Sequence, residues 1–99
     1  MTGRRVVRVT EGFFEQLDRA FPSERGPNGE PSATDFIVFE LPAVVERFAT
    51  HFDDLPEIVD GVPAGRMLIT SGVLVHAIAV FGLATSETSV DLIGITVDA

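Results

Sequence analysis

Between Arg66 and Ala99 the chain carries three apolar segments in close succession: Arg66-Met67-Leu68-Ile69-Thr70, Val73 to Gly82, and Val90 to Asp98. Ser71-Gly72 joins the first two, and the polar run Thr85-Ser86-Glu87-Thr88-Ser89 separates the last two. A two-residue connection containing glycine, followed by a polar loop, is what antiparallel neighbours require, so the spacing predicts a meander of three strands. Val73 to Phe81 is apolar at every position but His76. That predicts a central strand with both faces covered by protein. The last segment alternates, with Ile93, Ile95 and Val97 on one face and Leu92, Gly94, Thr96 and Asp98 on the other, as an outer strand with one wet face does.

Upstream, the patterns change period. Residues Arg4 to Val9 alternate, with Val7 and Val9 opposite Val6 and Arg8, and their β-branched valines favour a first strand. Thr10 then stands at an N-cap position with Glu11 in the first turn, and Phe13, Phe14, Leu17 and Phe21 recur at helical spacing. A helix over 11–21 is expected, stopped by Pro22. Ser23 to Ser32 holds two prolines, two glycines and an Asn-Gly step, which reads as a loop. Caps in Ser32-Ala33-Thr34-Asp35 then open a second helical region. Pro42 must interrupt it, so the pattern favours a short helix to about Glu40 and another in which Pro42 is the first residue. The β-prone run Phe36 to Leu41 leaves a strand as the competing reading. Asp53 to Ala64, acidic and bounded by Pro56 and Pro63, connects to the terminal strands. The fold class expected is α+β: an N-terminal strand, two or three helices, and a three-stranded antiparallel meander, with the helices on one side of a four-stranded sheet.

Ninety-nine residues make a single domain over 1–99. Such a domain buries about 60 to 70% of the surface its unfolded chain exposes. Hydrophobic content of 45% and a mean hydropathy of +0.31 place it in the ordered class. The absence of cysteine excludes a disulfide framework, a thiolate metal site and a cysteine nucleophile. No apolar stretch of signal-peptide or membrane-spanning length occurs, so a soluble, cytoplasmic protein is expected. The net charge of −8 is uneven. Residues 1–25 hold five arginines against four acids, whereas residues 26–99 hold two arginines against eleven acids. That sign opposes generic nucleic-acid binding and suits a basic partner.

The reactive groups are few. His76, on the central segment, has the pKa range of a general base, but a lone histidine in an apolar strand reads first as a hydrogen-bonded core or interface residue. His51, Asp53, Asp54, Glu57 and Asp60 lack the spacing of a calcium loop and read as a solvated acidic face suited to a basic partner, so no metal and no cofactor is expected. Arg4, Arg5 and Arg8 form the one positive cluster. In extended chain Arg4 and Arg8 point one way and Arg5 the other, and pairing with acids is favoured over phosphate contact. Ser23 to Gly29 lacks the ending of a phosphate loop. Gly82 and Gly94, inside strand patterns, mark a bulge or bend.

The order strand, helices, three strands resembles the RelE/ParE superfamily of small bacterial toxins from type II toxin-antitoxin pairs. The resemblance is carried by the strand Arg5 to Val9, the helix opening at Thr10-Glu11-Gly12-Phe13-Phe14, the helical region ending near Phe52 and the sheet from Arg66 to Val97. It implies that the first strand pairs with the terminal sheet and that an antitoxin segment wraps the chain. It also implies one of two activities, ribosome-dependent mRNA cleavage or gyrase inhibition. Arg66 is the residue it places near a catalytic arginine. The chain has no tyrosine or lysine, and Val90 to Ala99 contains no base. A toxin-like component acting through a protein partner, without an intact ribonuclease site, is therefore expected. The partner contacts would come from Arg4, Arg8, Asp53, Asp54 and Glu57. The alternative is a non-enzymatic, acidic, homodimeric interaction module, for which eight phenylalanines supply the apolar area.

Overall fold

A computed structural model describes residues 4–21, 27, 32–71 and 77–98. The elements run β1 (Val6–Val9), α1 (Glu11–Ala20), α2 (Ala33–Phe39), α3 (Leu41–Thr50), a 3-10 turn (Phe52–Asp54), β2 (Gly65–Thr70), β3 (Ala77–Ser86) and β4 (Ser89–Asp98). The α+β class and the helices on one side of a four-stranded sheet match the sequence reading.

Local chemistry explains the helices. The Thr10 hydroxyl accepts the Phe13 amide at 3.2 Å and donates to the Leu92 carbonyl at 2.7 Å, so one side chain both caps α1 and ties it to β4. Ser32 and Asp35 form a reciprocal capping box at 3.1 and 3.0 Å that opens α2. Phe36 is fully buried while Ile37, Val38 and Phe39 are exposed, a helical and not an alternating pattern, which excludes the strand reading of this run. Glu40 separates α2 from α3. Because α3 starts at Leu41, Pro42 is its second residue and not its first. It does no harm there, since the first four amides of a helix have no intrahelical acceptor.

The sheet order is β1-β4-β3-β2. β2, β3 and β4 form the antiparallel meander, and β1 lies parallel to β4 with Val7 opposite Val90 and Val9 opposite Leu92, so the sheet is mixed. Phe13, Leu17, Phe36 and Phe48 from the helices pack onto Leu68, Ile78, Val80, Val90 and Leu92. Full burial of each large side chain is worth roughly 1.5–3 kcal/mol.

Four details of the strands differ from expectation. First, β4 is not an outer strand, because β1 occupies its free side. Second, β3 is interior but is covered on only one face. Its Ala77, Ala79 and Phe81 are half-buried, and among the described residues no element lies over them. Third, the pairing does not follow the expected turns. A Ser71-Gly72 connection would pair Thr70 with Val73, yet Thr70 pairs with Ile78, and the tight turn is Glu87-Thr88, between the paired Ser86 and Ser89. Residues 72–76, and with them His76, lie outside the described residues.

Fourth, the faces of β4 are not those of simple alternation. Phe81 pairs with Gly94 but Gly82 pairs with Leu92, so Ile93 is the extra residue of a β-bulge. The bulge turns Ile93 outward, 40% exposed, while Ile95 is buried at 3%. Both glycines border it, as their place in the sequence suggested. A Cβ on Gly82 would stand 2.4 Å from Cε1 of Phe48, and one on Gly94 would stand 3.0 Å from Oε1 of Gln16. Gln16 serves the backbone that the bulge displaces: it accepts the Ile95 amide at 3.0 Å and donates to the Ile93 carbonyl at 3.5 Å.

Candidate functional site

Two surfaces are candidates, a cleft at the β3–β4 turn and the open face of the sheet. The cleft, about 430 Å³, is bordered by Arg5, Phe52, Pro63, Arg66, Ala84 and Glu87. Arg5 is brought there because its amide donates to the Ala49 carbonyl at 2.8 Å, which ties the entry of β1 to the end of α3. Its guanidinium lies 4.7 Å from the Phe52 ring centre, and that of Arg66 lies 5.4 Å from the same ring. Cations over an aromatic face are stabilised by its quadrupole, so the buried Phe52 gathers two like charges.

Arg66, the residue that the resemblance places near a catalytic arginine, is held on every side. Its Nε donates to the Pro63 carbonyl at 2.8 Å, and Nη1 donates to the carbonyls of Asp53 and Leu55, both at 2.9 Å. Nη2 faces the Glu57 carboxylate at 4.0 Å, and the side chain is 12% exposed. Arg5 donates to the Ser86 carbonyl at 3.1 Å and faces Asp53 at 3.6 Å. Asp53, Glu57 and Glu87 thus surround two arginines with three carboxylates, which leaves the cleft without the positive excess that a phosphate needs.

The other basic residues disperse. Arg4 precedes the strand and does not share a side with Arg8. It reaches Glu46 on α3 at 2.6 Å, whereas Arg8 holds Asp91, its neighbour across the sheet, at 2.9 Å. The hydrogen bond from Arg4 holds the Glu46 carboxyl below the usual carboxylate range, and the same bond raises Arg4. Of the acids expected to meet a partner, Asp53 and Glu57 come together around Arg66, while Asp54 is exposed on the 3-10 turn. Glu57 also accepts the Gly61 amide at 3.0 Å. His51 meets Thr50 at 2.6 Å. No group of three or more metal-ligating side chains occurs among the described residues. Nothing in the spacing of positions 5, 52 and 66 announces that they meet; only the packing of β1 against the end of α3 does that.

The second surface is the sheet face away from the helices. Cross-strand pairing sets Met67 beside Phe81 and Ile69 beside Ala79, with Gly65 beside Leu83. A Cβ on Gly65 would lie in van der Waals contact with Cδ1 of Ile58, at 3.5 Å, so the Ile58 side chain adjoins the same surface. Ile69 is 63% exposed and Leu83 40%. From Gly65 to Ile69 this apolar run covers about 14 Å along the strands. At its far end Ile69, Ala77, Ala79 and Thr96 border a depression of about 190 Å³. No helix among the described residues is long and apolar enough to cross a membrane. Comparison with family models, curated proteins and solved structures finds no match to this chain.

Proposed function

We propose that the chain is the toxin-like component of a bacterial toxin-antitoxin pair, of RelE/ParE-like layout, and that it acts by binding a protein partner and not by cutting RNA. The observation that carries this reading is the apolar face of the sheet that no described element covers, with Ile69 and Leu83 exposed and Met67 and Phe81 half-buried in adjoining rows. Contiguous exposed apolar surface of this type marks interaction sites in soluble proteins. A first strand parallel to the last, with the described helices packed on the Val80 and Leu92 side of the sheet, supports the layout. The engagement of Arg66 with three carbonyls supports binding over phosphate chemistry.

Induced expression without a partner is expected to slow bacterial growth while primer extension finds cellular mRNA uncut. The variant Ile69→Asp, at an exposed position, should relieve the growth defect. Harmless expression of the wild-type chain would refute the toxin-like reading, and specific mRNA cleavage would refute the binding mechanism.

A further inference from the structure

We infer that the cavity between α3 and the far end of β2 and β3 is a binding site for a small monocarboxylate with an apolar chain, its carboxylate seated on Arg47. The site goes beyond the partner binding proposed above, because it lies on the helix side of the sheet and not on the open face.

The cavity measures about 340 Å³. That is within the range of small-molecule sites, about 300 to 1,000 Å³. Its origin is local. Thr70 pairs with Ile78 where β2 ends, and α3 offers this end of the sheet only the short side chains of Ala43 and Val44, which leave the gap unfilled. Val44, Leu68 and Ile78 are all buried and form its floor, while Phe39, 57% exposed, stands at its mouth. An apolar floor of this kind favours an alkyl chain over water.

Charge sets the direction in which the ligand lies. Arg47 borders the cavity, and its guanidinium makes no hydrogen bond or ion pair with another described residue. Arg5, Arg8 and Arg66 are each held by carbonyls or carboxylates, whereas a carboxylate arriving at Arg47 displaces no partner of that kind. Glu40 borders the other end of the cavity, buried at 6% exposure and already engaged. Seven residues of helix set it about 10 Å from Arg47 along the axis. An anionic head therefore fits at Arg47, and a second anion at the far end would meet the like charge of Glu40. A chain the length of octanoate spans most of that distance.

The test is an NMR titration of the full chain with sodium octanoate, hexanoate, octanedioate and 1-octanol. Octanoate should shift the amides of Val44, Arg47, Leu68 and Ile78 saturably, and it should bind about tenfold more tightly than hexanoate because two further methylenes are buried. Octanedioate should bind at least about tenfold more weakly than octanoate, since its second carboxylate reaches Glu40. Arg47→Gln, at an exposed position, should weaken octanoate about tenfold and leave 1-octanol as it was. Unchanged octanoate affinity in that variant, or loss of both ligands, would overturn the inference. So would octanedioate binding as tightly as octanoate, the lack of saturable shifts, or shifts confined to Ile69 and Phe81 on the open face or to the Arg5–Arg66 cleft. Growth arrest by a chain that ignores octanoate would leave the toxin-like reading standing and remove only this site. Octanoate binding by a chain harmless to cells would do the reverse.

Discussion

A guanidinium that donates to three carbonyls from three points of one loop fixes that loop, and this is the arrangement at Arg66 with Asp53, Leu55 and Pro63. Arg66→Ala would leave those acceptors without a donor and uncover Phe52. It should destabilise the fold by about 2–4 kcal/mol, lowering Tm by roughly 10–25 °C in a thermal melt. A catalytic arginine would instead give a variant of unchanged Tm. Gly82 meets a harder limit, because the Phe48 ring at 2.4 Å from its missing Cβ is fully buried and has nowhere to go. Gly82→Ala should cost about 3 kcal/mol in denaturant unfolding, the upper end of ordinary overpacking. Phe48→Leu in the same chain should recover part of that loss, as coupled neighbours do. At Arg4 the consequence is one of pH. Glu46 is held below the usual carboxylate range by the Arg4 hydrogen bond, so the small contribution of this exposed pair is complete above the ordinary carboxylate pKa and is lost as pH falls through the depressed value. Arg4→Gln should return Glu46 to the ordinary range in a carbon-detected NMR titration.

Elements were legible in the sequence where their cause is local. Thr10, the Ser32–Asp35 box and Pro42 each act within one turn of their own position, and each start or break stands within a residue of where those side chains put it. β4 was not, because the partner of its bulge is Gln16, seventy-seven to seventy-nine positions away along the chain. Simple alternation placed Ile93 with Ile95; one inserted residue put them on different faces. The same dependence on distant partners hid the meeting of Arg5 with Arg66, since a strand entry and a strand start carry no mark of a shared aromatic ring between them. Gln16→Ala tests the cause assigned to the bulge. It should leave the part-buried Ile95 amide without its acceptor, cost about 1–2 kcal/mol, and raise hydrogen exchange at Ile95 more than at Val80. Uniform exchange across the sheet would mean that Gln16 follows the bulge and does not hold it.

At the scale of the whole molecule, the open face and the net charge oppose each other. Apolar rows around Ile69 and Phe81 favour self-association, while a charge of −8 at pH 7 resists it, because two like-charged copies must approach within a Debye length, about 8 Å at physiological salt, before apolar contact begins. Lowering the pH toward the isoelectric point near 4.5 protonates carboxylates and removes that resistance. Raising salt to about 1 M shortens the Debye length to about 3 Å and has the same effect at neutral pH. Sedimentation equilibrium should therefore find a monomer at pH 7 in dilute salt and reversible association under either change, with Ile69→Asp associating less in both. Binding of a basic partner should respond to salt with the opposite sign, weakening as its attraction to the acidic chain is screened. Affinity for a second copy and affinity for a basic partner thus move apart along one salt series, and a chain in which both strengthen together does not recognise its partner by charge.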